Sequence, residues 1–579
     1  MDKPTLSINA PDFPAKKLEI GIHSFKDRIL ENCVYVDKTP YIYELIRRES
    51  NCFLSRPRRF GKSLLISTLK EIFSGSKELF KDCRIYDKIN WETYTIIHLD
   101  FINVDFKNFG LEKAIDHTLE KISRQFNITL TGQSIKEKFG EMIEVLSKDK
   151  KVVILIDEYD KPIMDYIDDI PEAEKNRDIL KNFYSVLKSH VPHIRFLLIT
   201  GVSKFSRVSI FSDLNHLADI SIDPQYSNML GYTEEEIEYY FSDYIRNWEE
   251  RKGEKREILF EGLKNYYDGY SWDGENFVYN PFSILSFFRT YRFGNYWFAT
   301  GSPTSLVKKI RNANIAIDRY ECLRVGDSFF EKFDISSLDI AVLLFQTGYL
   351  TIKAVEGKNY VLSYPNLEVR ESFFQYLLEG YSGKTQEEIT PVTETIRQTL
   401  KAHNIDGFIQ CLKVLLSSIP YNIQIENREA YYHSLVYIAL RLSMIDVQCE
   451  IQSAIGRSDI VVLTDPNIYI IEFKIGSAGT ALSQIEEKKY YLPYLDKDKK
   501  VTLLGIGFNE TERNIGDWKI REIEKGSVDL GKPKPVRSST DESEHRLERQ
   551  MAKRMLADGL SIDRIMKYTG LSEKEIKGL

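Results

Sequence analysis

The run Ser55-Arg-Pro-Arg-Arg-Phe-Gly-Lys-Ser63 follows the apolar stretch Cys52-Phe-Leu54 and precedes a helical pattern from Leu64 to Phe73. A strand that enters a loop ending in Gly-Lys-Ser, and then a helix, wraps backbone N–H groups around phosphate. The chemistry this suits is capture of a nucleoside triphosphate, with ATP and Mg²⁺ as the expected cofactors. Arg59, Phe60, Gly61 and Leu64 are expected to line the loop, Lys62 to reach the β/γ-phosphates and Ser63 to bind Mg²⁺. Far downstream, Val152-Val-Ile-Leu-Ile156 leads into Asp157-Glu158, where Asp157 holds the same ion from outside and Glu158 orients the attacking water. Arg195-Phe-Leu-Leu-Ile-Thr200 reads as a further parallel strand, placing Thr200 near the γ-phosphate. Gly-Lys-Ser alone is also an ordinary helix start; its pairing with Asp157-Glu158 favours phosphate. One position departs from the G-x-x-x-x-G-K-[ST] pattern, because Arg56 stands where the first glycine is usual.

A second constellation lies near the other end of the chain. In Ile470-Ile-Glu-Phe-Lys474 the strand period of two puts Glu472 and Lys474 on one face and Phe473 on the other, toward the core. Asp459 opens the preceding strand, and a hairpin through Asp465-Pro-Asn467 brings it alongside Glu472. Two carboxylates and a lysine suit a Mg²⁺ site that activates water for attack on a phosphodiester, with Lys474 stabilising the developing charge. Glu429 and Gln484, on flanking helices, can add a ligand or position water, and Glu450 competes as the third carboxylate. The alternative for Glu472 and Lys474 is an exposed ion-pair patch on a half-buried strand. The order of helix with Glu429, strand with Asp459, strand with Glu-x-Lys and helix with Gln484 favours the metal site.

The elements that must carry these residues are legible from periodicity. Apolar runs at 52–54, 95–101, 152–156, 196–200 and 217–220 alternate with helical stretches, which predicts a parallel sheet flanked by helices. Thr233-Glu-Glu-Glu236 carries a capping-box signature and opens an aromatic-rich helical region reaching Tyr296-Trp297. A helix at 339–345 and strands at 349–353 and 360–363 around Glu356-Gly-Lys358 suggest a winged-helix module. Helices over about 385–417 lead into a second α/β pattern: a helix at 426–442, strands at 447–452, 459–463, 468–474 and 501–506, and a helix at 481–495. The polar stretch 527–545 reads as a linker, and the three short helical patterns that follow as a helix-turn-helix, equally suited to packing or to DNA contact.

With 579 residues, 42% hydrophobic and 28% charged, the chain is long enough for about four domains. Its net charge of −7 argues against a chain-wide nucleic-acid footprint but is compatible with a local basic groove. No apolar run reaches the roughly 20 residues of a membrane span, so no membrane contact and a cytoplasmic location are expected. The six cysteines are scattered without CxxC pairs, which indicates neither a zinc site nor a disulfide framework.

Tyr35-Val-Asp-Lys-Thr39, the 56–63 run, Leu155-Ile-Asp-Glu-Tyr-Asp160 and Thr200-Gly-Val-Ser-Lys204 together resemble the AAA-ATPase-like domain of many bacterial proteins. Arg56 in place of glycine belongs to that family's pattern. Gly456-Arg-Ser-Asp459, Ile471-Glu-Phe-Lys474 and Ala481-Leu-Ser-Gln-Ile485 resemble the PD-(D/E)xK nuclease superfamily, whose first motif, a glutamate on the first helix, falls at Glu429. The resemblance implies an α/β chain: a P-loop NTPase parallel sheet, a helical and winged-helix middle, and a restriction-endonuclease-like domain. The expected division is a tail at 1–20, the AAA-ATPase-like domain at 21–226, a helical domain at 227–330 and a winged-helix-like module at 331–384. The nuclease-like domain follows at 385–526, then the linker at 527–545 and the helix-turn-helix-like tail at 546–579. It further implies nucleic acid as partner of the C-terminal part and, by family analogy only, ring assembly. Arg207 is the candidate arginine finger, with an ordinary surface role as the alternative.

Overall fold

Short, largely apolar runs form the first four strands of the first sheet, β1 (Asn51–Ser55), β2 (Ile96–Asp100), β3 (Val152–Asp157) and β4 (Ile194–Gly201), and the two-residue β5 (Ala218–Asp219) completes it. The computed structural model describes residues 16–523 other than 205–209, 211–216, 299–303, 314–315, 332–334, 336–338, 418–427, 444, 454–455, 496–498 and 510. Arg207, the linker and the C-terminal tail lie outside the described residues, as do the side chains of Glu429 and Glu450.

The five strands run in the order β2-β3-β4-β1-β5, and every pairing is parallel. β3 is buried at all its positions, as expected of a strand covered on both faces by helices. The register aligns Leu54 with Thr200 and Asp100 with Asp157, so Ser55, Asp157 and Thr200 finish their strands at one edge of the sheet. That carboxyl edge is where open α/β sheets bind ligands.

The aromatic-rich region forms helices Glu234–Tyr240, Ser242–Lys252, Arg256–Tyr267 and Pro281–Thr290. The predicted capping box is present: Thr233 accepts from Glu236 N while Glu236 returns to Thr233 N. These helices build a core of their own, which Val34 and Val36 from the N-terminal part complete. Next come β6 (Leu323–Gly326), helix Ile340–Thr347, β7 (Thr351–Glu356) and β8 (Asn359–Ser363), an antiparallel sheet in the order β6-β8-β7. β6 is a strand the sequence reading omits, being short and half-exposed. Helix Leu367–Ser382 then crosses the interior, with Val369, Phe373, Phe374, Leu377, Leu378 and Tyr381 buried.

The second sheet comprises β9 (Asp446–Ser453), β10 (Gly456–Leu463), β11 (Asn467–Ile475), β12 (Lys500–Asn509) and β13 (Asn514–Ile523), ordered β13-β12-β11-β10-β9. Only β11 and β12 pair in parallel. Two expectations need correction here. The helix after β11 spans Ala478–Glu487, not 481–495, because Ser477 caps it early and Lys489 turns into the left-handed region at φ 50°. β13 extends the sheet beyond the last expected strand; as an edge strand it is largely exposed and carries Asp517, Lys519, Arg521 and Glu522, which hides it from an apolar search. Among the described residues no helix is long and apolar enough to cross a membrane.

Glu368, at the start of helix Leu367–Ser382, is fully buried and accepts from Ser283 Oγ at 2.7 Å and from the backbone N–H of Trp297 at 2.8 Å. Burial pushes its pKa up to about 7, against these hydrogen bonds and the charge of Arg59. An acid raised in the folded state keeps its proton there while the unfolded chain releases it, so stability falls as pH climbs from the ordinary value near 4.5 to about 7. The expected loss is at most about 3 kcal/mol across that window. Denaturation at about pH 5 and about pH 8 should reveal it, and Glu368→Gln should flatten the difference.

Candidate functional site

Ser55 closes β1, and the chain turns through residues 56–61 into the helix Lys62–Phe73. The turn needs two left-handed residues, Arg59 at φ 69° and Gly61 at φ 90°. For glycine that conformation is easy; for arginine it is strained by roughly 1 kcal/mol or more, so packing must hold it. Arg59 Nη1 donates to Tyr296 O at 2.9 Å, and the guanidinium lies 3.6 Å from the centre of the Phe282 ring. Phe60 meets Tyr270 and Trp272 edge-on at 4.7 and 5.4 Å, and Trp297 Nε1 donates to Arg58 O at 3.3 Å.

Lys62 is buried, and its ammonium points back into the loop, donating to Arg56 O at 3.1 Å and Pro57 O at 3.3 Å. Glu158 Oε1 stands 3.4 Å from the same nitrogen. Glu158 is itself left-handed at φ 52°, so strain falls on two residues of the same site. Its position is set by the segment behind it: Tyr159 N donates to Thr200 O, and Asp160 accepts from Val202 N, Ser203 N and Ser203 Oγ. Burial, and then the nearby charge of Glu158, raises the Asp160 carboxyl above its usual range. Asp157, also buried, accepts from Thr200 Oγ1 at 2.6 Å. The fold thus sets Lys62 against Glu158 and Thr200 against Asp157, with Ser63 one residue along the helix. The positioning role of Asp160 went unread, although its place three residues after Asp157 was the available signal.

Arg56 takes a different course. Its backbone N–H continues the β1–β4 ladder by donating to Gly201 O at 3.1 Å. Its guanidinium donates to the carbonyls of Ser55, Ser221 and Tyr226 and stacks 4.0 Å from the Trp272 ring. Burial pulls its pKa down to about 9, opposed by Asp219 and Asp273. The side chain is therefore spent on packing the loop against the middle of the molecule.

Beside the loop lies a mainly apolar cavity of about 130 Å³, lined by Arg59, Phe60, Gly61 and Leu64 from the run itself. Its other walls include His23, Val36, Met229 and Phe282. Val36 belongs to the Tyr35–Thr39 motif, but no expectation joined these four as walls of one cavity, since they come from three distant segments.

In the second sheet the hairpin places Asp459 and Glu472 against one another. Asp459 N donates to Glu472 Oε2 at 3.2 Å, and Phe473 N donates to Asp459 Oδ2 at 2.9 Å. Lys474 Nζ lies 3.7 Å from Glu472 Oε1, which also accepts from Gln484 Nε2. Glu472 is only 1% exposed, so the reading of an exposed ion-pair patch does not hold. Phe473 points into the core as expected, stacking on Phe508 at 5.6 Å. His433 Nε2 sits 3.3 Å from Asp459 O, and its Nδ1 lies 3.7 Å from the buried Asp318. The donors are all carboxylate oxygens, which suits a hard divalent cation such as Mg²⁺. Among the described residues no group of three or more His, Cys, Asp or Glu side chains could hold a metal. Glu429 begins the helix Arg428–Leu442 and Glu450 lies on β9, with their side chains outside the described residues.

Three family models match the chain. One described as a predicted AAA-ATPase covers residues 19–211, and one described as the PD-(D/E)XK nuclease superfamily covers 427–518. A third, the C-terminal HTH domain of the Rpn/YhgA-like nuclease family, covers 548–579. A curated protein from Azotobacter chroococcum mcd 1, described as an uncharacterized protein in the vnfD 5'region, is 36% identical over 524 residues, 88% of this chain and 99% of that protein.

Gln484 reaches Glu472 because its helix lies directly on β12 at Gly505. A Cβ there would stand 2.4 Å from Ala478 O and 2.6 Å from Leu482 N, both backbone atoms. Gly505→Ala should therefore destabilise the protein by about 1–3 kcal/mol, read as a lowered denaturation midpoint.

Proposed function

Because the chain belongs to the family that joins an AAA-ATPase-like module to a PD-(D/E)XK nuclease superfamily module, we propose that it is a nucleotide-gated nuclease. It binds ATP with Mg²⁺ at residues 55–63 within a module spanning 21–226, and cleaves nucleic-acid phosphodiesters with a module spanning 385–526. The observation that carries this reading is the convergence of Asp459, Glu472 and Lys474 on one sheet face, with Gln484 bonded to Glu472.

In the N-terminal module, Lys62 exchanges its loop carbonyls for the β/γ-phosphate oxygens, and Glu158, released from Lys62, orients water and accepts its proton. Ser63 and Asp157 hold the ion, and Thr200 keeps Asp157 in place. The apolar cavity receives the base, with Arg59, Phe60, Gly61 and Leu64 as its near wall. In the C-terminal module, Asp459 and Glu472 would hold Mg²⁺, with Glu429 or Glu450 as the further carboxylate. Bound there, Mg²⁺ supplies charge neutralisation at the phosphodiester and lowers the pKa of a water. Lys474 stabilises the negative charge that develops on the phosphate, and Gln484 fixes the orientation of Glu472. The helix-turn-helix-like tail at 546–579 adds a contact to nucleic acid.

A second reading, a nucleotide-dependent switch whose nuclease fold binds without cleaving, is favoured by the acidic balance of the chain, a net charge of −7. Cleavage of DNA and RNA with Mg²⁺, with and without ATP, separates the two. Lys62→Ala should abolish ATP binding and any effect of ATP on cleavage. Glu472→Ala should lose more activity than the ~10–100-fold expected for Gln484→Ala, which removes only an outer hydrogen bond. Cleavage unchanged in Glu472→Ala would sink the nuclease assignment.

A further inference from the structure

Glu368 is a buried carboxylate that neither site uses, yet its partners are the residues that grip the phosphate loop. It accepts from Trp297 N, and the Trp297 indole donates to Arg58 O. It also accepts from Ser283 Oγ, next to Phe282, the ring on which Arg59 stacks. Arg59 further donates to Tyr296 O, beside Trp297. Two consecutive loop residues are thus held by two short segments, and both segments are fastened to one carboxylate at the start of helix Leu367–Ser382.

The far end of that helix meets the second site. At a rise of 1.5 Å per residue its 16 residues span about 24 Å. Tyr381 O there accepts from Tyr431 Oη at 2.6 Å, and the two rings stack at 4.9 Å. Tyr431 belongs to helix Arg428–Leu442, two residues before His433, whose Nε2 lies 3.3 Å from Asp459 O. Between its ends the helix is packed by Phe373, Phe374, Leu377 and Leu378, all at most 1% exposed. A rod seated in a close-packed core cannot dissipate a displacement locally and moves as a body.

We propose that helix Leu367–Ser382 transmits the nucleotide state of the phosphate loop to the nuclease site, with Glu368 as its receiving end and the Tyr381–Tyr431 contact as its delivering end. The inference rests on the nucleotide-gated reading above and names the route of that gating. Phosphate draws on the backbone N–H groups of residues 59–61, and Arg59, strained and tied to Tyr296 and Phe282, cannot shift without moving the segments that Glu368 fastens. The response arrives through helix Arg428–Leu442 at the backbone of Asp459.

Hydrogen exchange of the full chain, with and without ATP and Mg²⁺, tests this in wild type, Glu368→Leu and Tyr431→Phe. Leucine offers no acceptor, so Glu368→Leu loses the bonds from both Ser283 and Trp297; Tyr431→Phe keeps the ring and loses only the bond to Tyr381. Both variants should bind a fluorescent ATP analogue within about 3-fold of wild type. ATP should change exchange rates across residues 428–442 by about 5-fold or more in wild type and by less than about 2-fold in either variant. Should Glu368→Leu not fold, Tyr431→Phe carries the test from the other end. Exchange at 428–442 indifferent to ATP in wild type, or equally responsive in Tyr431→Phe, overturns the proposal. Failure of wild type to bind ATP overturns both this and the nucleotide reading, whereas exchange that responds to ATP without any cleavage supports the rod and removes the nuclease assignment alone.

Discussion

The Arg56 guanidinium leaves water to meet three backbone carbonyls, from Ser55, Ser221 and Tyr226, and the face of Trp272. No carboxylate is in direct contact with it among its described partners, so carbonyl dipoles and a ring face offset the cost of burying the charge. A desolvated cation–π contact of this kind contributes about 2 kcal/mol, and each charged hydrogen bond about 1.5–3 kcal/mol. The consequence is geometric. Arg56 extends β1 by one rung and pins the first residue of the phosphate loop to the β5 side of the sheet and to the middle region. A glycine there would leave Trp272 and the Ser221 and Tyr226 carbonyls without this tie. The arginine that looked like a defect in a phosphate-binding pattern is what joins that pattern to the rest of the chain.

The two sites share one device, a carboxylate held by backbone N–H groups of a neighbouring strand or of the turn that follows it. Asp160 accepts from Val202 and Ser203 in the first module, and Asp459 and Glu472 accept from Phe473 and Asp459 N–H in the second. Backbone donors lose no side-chain freedom on forming such bonds, so the carboxylates stand in fixed positions before any ligand arrives. The sheets supply that precision, and the helices packed on them supply the side chains that meet these carboxylates, Lys62 at Glu158 and Gln484 at Glu472.

Much of this was legible in the sequence because the signals were local. The five parallel strands announced themselves as apolar runs, Gly61-Lys62-Ser63 as a strand-to-helix turn, and Glu472-Phe473-Lys474 as a strand with two faces. The capping box at Thr233 and Glu236 was equally plain. What escaped was non-local or inconspicuous. β13 is an exposed edge strand whose charged residues mask its alternation. The helix after β11 begins at Ala478 because Ser477 caps it, and it lies flat on β12 because the distant Gly505 has no side chain. Glu368 looks like any helical glutamate until the fold buries it, and the cavity walls of His23, Val36, Met229 and Phe282 assemble from segments that no short window contains.

The apolar core that begins at Phe53 in the first sheet runs without interruption through Phe373 and Tyr431 to Phe473 and Phe508 in the second. Boundaries drawn from motifs therefore cut through continuous packing. A C-terminal half set on another partner would arrive with its inner wall missing, and substitutions on the two sides of this junction are energetically coupled through the packing they share.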